Sequence, residues 1–255
     1  MATYLYCLLA PARPEALPKG LTGIAGSPVR ALVSEGKERM EAWVATVEDA
    51  ALRVSGHALV SQALLHNEVV NAALGSGRTP APARYGSRFD DDAACVADLA
   101  RRSTVLRAIL DRVAGAVEMS VLIVPADSVS ETIAPAARPE RHEIDAGRRY
   151  LEVVRDRARQ AQGRRQAAES EAARIATALN GIVRGESRGF GAIGVMSLAH
   201  LVPRERVDTY RQRLAEFQPA TGFRLVVGEP HAPYSFAVEE SGLGGHDSSS
   251  PNSNE

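Results

Sequence analysis

Lysine is nearly missing from this chain of 255 residues: of its 30 basic side chains, only Lys19 and Lys37 are lysine. Alongside abundant Ala, Gly and Val, that bias reads as the coding habit of a GC-rich genome rather than as a functional signal. Cysteine is scarce too. Cys7 and Cys95 are too few for a disulfide framework or a thiolate metal set. No charge sign is in excess, since 30 basic against 31 acidic residues give −1, which excludes a global field for nucleic acid or anionic membranes. The longest apolar run, Met119–Val124, is broken by Ser120 and is far too short to span a bilayer. The start, Met1-Ala2-Thr3-Tyr4, has no basic stretch and enters an alternating apolar segment, so no signal peptide is expected. A soluble cytoplasmic protein is the resulting expectation.

Local patterns carry the rest. Thr3–Ala10 is β-prone and stops at Pro11, which predicts a strand. Val29–Val33 and Met40–Val47 read as two more strands, joined as a hairpin through Ser34-Glu35-Gly36-Lys37. From Glu48 to Leu74 the pattern is helical, with Leu59, Leu65, Val69 and Ala73 on one face and Gly56 delaying the start. Gly75, Gly77 and Thr79-Pro80-Ala81-Pro82 end that helix. Asp90, Asp91 and Asp92 open a second helix, where carboxylates suit the macrodipole, and Cys95, Leu99, Leu106, Ile109 and Val113 continue it to Gly115. Val117–Val124 is predicted to be a strand.

The second half opens with a seam of Leu151, Val154, Ala158, Ala161, Arg165, Ala168, Ala172, Ile175, Leu179 and Ile182, spaced by threes and fours. Its alanines predict close helix approach, as an antiparallel pair or a short coiled-coil-like arm, with Gly163 as the bend if there are two helices. Ala192–Val202 reads as a strand, Val207, Tyr210, Leu214 and Phe217 as a helix face after Pro203, and Phe223, Leu225 and Val227 as a strand. Strand, helix, strand suggests half of a ferredoxin-like unit. The expected fold class is α+β in two domains. A mixed α/β sheet domain covers 1–127, a linker 128–145, a ferredoxin-like domain with long alanine-rich helices 146–240, and a disordered tail 241–255.

No catalytic constellation emerges. Gly20-x-x-Gly23-x-x-Gly26 lacks the following helix and lysine of a phosphate loop, so it reads as a glycine turn. His66 has no second histidine at metal-binding spacing, and His66-Asn67 is expected to bond to backbone or to the following loop. Arg84 and Arg88 flank Tyr85-Gly86-Ser87, just ahead of the acidic helix start. They either pair with Asp90–Asp92 or hold a small anion. Arg148–Arg165 is arginine-rich with only Tyr150 to stack on a base, which favours a solvated or partner-facing helix over a nucleic-acid site.

An ordered set of segments resembles the gas vesicle protein F/L family (GvpF/GvpL). It comprises Tyr4-Leu5-Tyr6, Gly23-Ile24-x-Gly26-x-Pro28-Val29-Arg30-Ala31, His66-Asn67-x-Val69-Val70 and Arg84-Tyr85-Gly86-Ser87-x-Phe89. Leu110-Asp111-x-Val113-x-Gly115-x-Val117-Glu118-Met119-x-Val121 follows, then Tyr150-Leu151, Ala199-His200-Leu201-Val202 and Gly228-x-Pro230-x-x-Pro233-Tyr234-Ser235-Phe236. The family usually has lysine where Leu122 stands, and its last signature is weakened here to Gly228-Glu229-Pro230-His231-Ala232-Pro233-Tyr234-Ser235-Phe236. The resemblance implies a two-domain α+β accessory or minor structural protein without enzymatic activity or cofactor, cytoplasmic and associated with gas vesicles. Its implied partners are the major shell protein (GvpA-like) and other gas vesicle accessory proteins, with no nucleic acid, membrane or small-molecule substrate. The candidate interaction or structural residues are His66, Asn67, Arg84, Tyr85, Arg88, Phe89, Glu118, Tyr234 and Phe236. The competing expectation is a small-anion-binding enzyme or sensor built on Arg84, Arg88 and His66.

Overall fold

The computed structural model describes residues 1–11, 17–34, 38–126, 144–191 and 195–237. In the helix entered at Ile144, it describes the side chains at 154, 155 and from 159 onward. The hairpin turn at 35–37, nearly all of the linker and the tail lie outside the described residues, although Ile144 and Asp145 are already helical. The chain forms two compact units: Met1–Glu118 with the segment from His231, and Met119–Pro230. Residues 231–237, expected in the C-terminal domain, thus group with the N-terminal unit.

The first unit is built on β1 (Ala2–Leu9), every residue of which is buried. It pairs antiparallel with β3 (Glu41–Val47), which pairs in turn with β2 (Arg30–Val33); the short β4 (Ala81–Pro82) and β5 (Arg88–Phe89) flank the other side of β1. A register shift between Leu5 and Cys7 turns Tyr6 and Cys7 to the same face. Leu5 and Leu8 therefore join Ala42 and Val44 in one core with Cys95, Leu99, Leu106 and Ile109. Tyr4, Tyr6, Cys7 and Leu9 join Trp43, Ala45, Val69 and Val70 in the other. A sheet covered on both faces needs near-continuous apolar strands, which is what β1 and β3 supply.

One cover is α2 (His57–Gly75), preceded by the single turn α1 (Asp49–Leu52). Its buried face is His66, Val69, Val70 and Ala73, so the expected face starts too early; the first turns lie outside the packed layer, and Leu59, Val60 and Leu64 are exposed. The other cover is α3 (Asp92–Arg101) and α4 (Ser103–Val113). The sequence reads them as one helix because Leu99 and Leu106 stand two turns apart, which keeps the period across the break at Arg102. Asp91 caps α3 by accepting from Ala94 N–H at 2.7 Å.

The second unit has an antiparallel sheet of order β7-β8-β6-β9, from β6 (Ala116–Pro125), β7 (Gly185–Phe190), β8 (Met196–Pro203) and β9 (Phe223–Val227). Helix α5 (Ile144–Ala178) lies between β6 and β7 in sequence, and α6 (Val207–Glu216) between β8 and β9. Strand β7 escapes the sequence reading because Gly-Glu-Ser-Arg-Gly-Phe has almost no β-prone residue; it is held by pairing with β8 from Gly185–Leu201 to Phe190–Met196. Helix α5 is one helix, so Gly163 is not a bend. Its seam is buried at Ala168, Ala172 and Ile175, continued past the helix end by Leu179, whereas Val154 is exposed.

Candidate functional site

His66 is held by three elements at once. Its Nε2 lies 3.1 Å from the Ala83 carbonyl, which can only accept, so the ring proton sits there; Nδ1, 2.9 Å from the Tyr4 hydroxyl, is then the acceptor. The Tyr4 hydroxyl donates to His66 and accepts from Gly86 N–H at 3.0 Å. Tyr6 and Tyr85 pack around the ring, with centroids 5.5 Å and 6.1 Å away. Burial lowers the His66 pKa to about 4, against the Ala83 bond, which favours the proton. A neutral imidazole with both nitrogens occupied has no site left for a substrate proton. It fastens α2 to β1 and to the 83–86 turn.

Gly23 has a steric reason. A Cβ there would stand 2.0 Å from the Tyr6 hydroxyl, which accepts from Ile24 N–H at 2.9 Å. The turn's own donors are spent internally, Gly23 N–H on Ser27 and Gly26 N–H on Gly23, at 2.9 and 3.0 Å. These two amides are therefore not available to an anion.

Of the other candidates, Tyr85 packs on the His66 ring and the rest make their contacts elsewhere. Asn67 accepts from the Tyr234 hydroxyl at 3.0 Å, and Tyr85 donates to Gln62 at 2.8 Å. Glu118 is buried and accepts from the backbone and hydroxyl of Ser235 at 2.7 and 2.8 Å, while its backbone bridges His231. Buried Phe236 offers its carbonyl to Arg112. These contacts tie the 231–237 segment to α2 and the start of β6. Phe89 packs against the core beneath α3 and α4. Arg84 is exposed. Arg88 pairs with Asp49 at 3.4 Å, and Asp92 is taken by Arg30 at 2.7 Å and Thr3 at 2.6 Å. The expected pairing of Arg84 and Arg88 with Asp90–Asp92 is thus not found, because the partner of Arg88 arrives from α1 and that of Asp92 from β2. His66 and the two arginines do not converge.

A second network, missed by the sequence reading, centres on buried His200. Its Nδ1 meets the Tyr210 hydroxyl at 2.7 Å and its Nε2 meets Glu186 at 3.1 Å. Arg188 bridges Glu186 and Glu169, the latter at 2.9 Å. Burial again lowers the histidine pKa, with Glu186 opposing. The pairing of His200 with Glu186 depends on β7, and without that strand no local signal points to it. Among the described residues, no group of three or more His, Cys, Asp or Glu is placed to hold a metal ion, and no helix is long and apolar enough to cross a membrane.

Two surfaces remain. Strand β2 ends its sheet. Ser34 N–H bonds Met40 at 2.9 Å, so alternation turns the amides of Arg30 and Leu32 toward β3 and those of Ala31 and Val33 outward. The other is the described part of α5 at Val154, Arg155 and from Arg159 to Ala167.

The family sequence model described as "Gas vesicle synthesis protein GvpL/GvpF" matches residues 2–238. The chain belongs to the GvpL/GvpF family. The crystal structure of the gas vesicle protein GvpF from Anabaena sp. PCC7120 is similar at TM-score 0.68 and 20% identity, covering 96% of this chain and 99% of that one. That of GvpF from Microcystis aeruginosa is similar at TM-score 0.62 and 17% identity, covering 92% and 98%. Both likenesses are of fold. Among curated proteins, none matches the chain significantly. GvpL/GvpF membership makes this a gas vesicle protein with an α+β fold of two antiparallel sheets and helices.

Proposed function

We propose that this chain is a non-enzymatic assembly factor that binds the major gas vesicle shell protein and other accessory proteins in the cytoplasm. Family membership supports the setting. The observation that carries the binding mode is the edge of β2, where the amides of Ala31 and Val33 point away from the sheet with no partner among the described residues and Val33 is 43% exposed. An open edge accepts a partner strand through backbone bonds, with little demand on its side chains. The inward fastening of His66, Asn67, Tyr85, Glu118, Tyr234 and Phe236 supports a structural role for them, holding the unit that carries this edge. Exposed Arg84 is proposed as a partner contact. For the second unit we favour the ferredoxin-like reading, supported by its element order and by β6 lying between β8 and β9.

Capture of purified shell protein by the full chain tests the proposal. Ala31→Pro, which deletes one outward amide, and Val33→Lys are expected to weaken capture by about tenfold, equivalent to ~1.4 kcal/mol. Undiminished capture by both variants would move the interface elsewhere; no capture by the unaltered chain would end the proposal.

A further inference from the structure

Strand β9 is an unguarded edge of the second sheet. Gly228 N–H bonds the Ser120 carbonyl at 2.8 Å, and the ladder with β6 runs without a shift from Phe223 to Val227. Alternation from Gly228 turns the backbone groups of Arg224 and Val226 toward β6 and those of Leu225 and Val227 outward. Neither outward amide has a partner among the described residues.

Sheet edges are ordinarily guarded by charge, proline or a bulge. The opposite edge, β7, carries Glu186 and Arg188, whereas Phe-Arg-Leu-Val-Val in β9 has one charge and neither proline nor bulge. Val226 and Val227 are 46% and 40% exposed, and Leu122, opposite Val226 in the ladder, is 38% exposed. Beside the same edge, a groove of about 410 Å³ is lined by Leu214, Ala215 and Phe217 together with Leu225 and Val227. An arriving strand thus meets both free backbone groups and open apolar room.

The residues of this edge fit their own copy. An antiparallel pair about a two-fold axis must match outward residues with outward residues, which leaves few registers. An axis at Arg224 sets arginine against arginine, and one at Leu225 sets Arg224 against Val226. An axis at Val227 leaves Val226 facing Gly228. With the axis at Val226, that residue faces itself, and each Leu225–Val227 pair exchanges both backbone hydrogen bonds. Arg224 then faces Gly228, which has no side chain to oppose it. This register sets apolar against apolar along the exposed edge and brings no like charges together.

We propose that β9 pairs with β9 of a second copy across a two-fold axis at Val226, continuing the sheet through both chains. The pairing places Leu225 and Val227 of the second copy at the groove beside α6 and removes the edge from solvent. A five-residue strand is at the low end of interface size, so dissociation in the micromolar range is expected. The pairing is independent of strand addition at β2, which lies in the other unit.

Sedimentation velocity of the full chain up to about 100 µM is expected to show a reversible monomer–dimer equilibrium. Val226→Arg sets two arginines together on the axis and is expected to weaken dimerisation by about tenfold or more. Disulfide trapping reads the register. In Val226→Cys the paired α-carbons stand about 4.5 Å apart, within disulfide reach, and mild oxidation is expected to give a covalent dimer. In Arg224→Cys they stand about 14 Å apart, and no link is expected. Cys7 and Cys95 are buried, so the unaltered chain serves as the control. A chain monomeric at about 100 µM, a dimer indifferent to Val226→Arg, or linking through position 224 as readily as through 226 would overturn the proposal. So would slowed exchange of the Leu225 and Val227 amides only when shell protein is added, which would assign the edge to that partner. Capture of shell protein by Val226→Arg is expected to match that of the unaltered chain, so the two interfaces are read separately.

Discussion

The hydroxyl of Tyr4 donates to Nδ1 of His66 across 2.9 Å, joining residues 62 positions apart. That bond requires a neutral imidazole, because a protonated ring would turn an N–H toward the hydroxyl hydrogen and break the relay to Gly86. Unfolded His66 takes up its proton near the ordinary value of 6.5, whereas the folded side chain does so near about 4. Its contribution to stability is therefore whole above pH 6.5 and fades as the pH falls to about 4, a span of about 3 kcal/mol. His200 acts in the same direction. Urea unfolding measured across that window is expected to lose stability as acid is added, and His66→Gln is expected to flatten the loss while lowering stability at neutral pH.

Gly23 and Tyr6 make a steric pair. Gly23→Ala drives a methyl group to 2.0 Å from a buried hydroxyl, with an expected cost of about 3 kcal/mol. Tyr6→Phe strands the Ile24 amide, which donates to the Tyr6 hydroxyl at 2.9 Å, and is expected to cost about 1–3 kcal/mol. Chemical denaturation of both variants checks the two values.

Arg78 holds Glu41 at 2.8 Å with side chains only 13% and 8% exposed, and Trp43 donates to the same carboxylate at 2.7 Å. Arg78→Ala leaves a buried carboxylate without its cation and is expected to cost about 3–5 kcal/mol. Arg78→Met combined with Glu41→Gln is expected to cost less than the single change, which thermal unfolding of the two proteins would reveal.

Gly163 stands in the middle of α5 with nothing among the described residues within 4 Å of an added Cβ. Gly163→Ala is therefore expected to raise helix stability by about 1 kcal/mol, read as greater helicity and a higher Tm. A drop in either would mean that the position meets a surface.

Strand and helix types were legible where periodicity had one meaning. The β1 and β3 runs, the Asp91 cap and the alternation in β9 all follow from local chemistry. Three features were not. The break at Arg102 is hidden by apolar residues two turns apart, and β7 has strand structure imposed by β8 on a polar, glycine-containing segment. The ion pairs of Arg88 and Asp92 are made by residues distant in sequence, at Asp49 and Arg30. The bonding of His66 to the backbone of the following loop was readable from its lack of a second histidine at metal-binding spacing. Its partners, Tyr4 and Ala83, depended on strand pairing that no local pattern encodes.

Amide exchange along β2, with and without the major gas vesicle shell protein bound, tests the proposed strand addition most directly. The outward amides of Ala31 and Val33 are expected to slow by about tenfold or more on binding, while that of Leu32, already bonded to β3, changes little. Unaltered exchange at both outward amides with the shell protein bound would contradict docking at this edge.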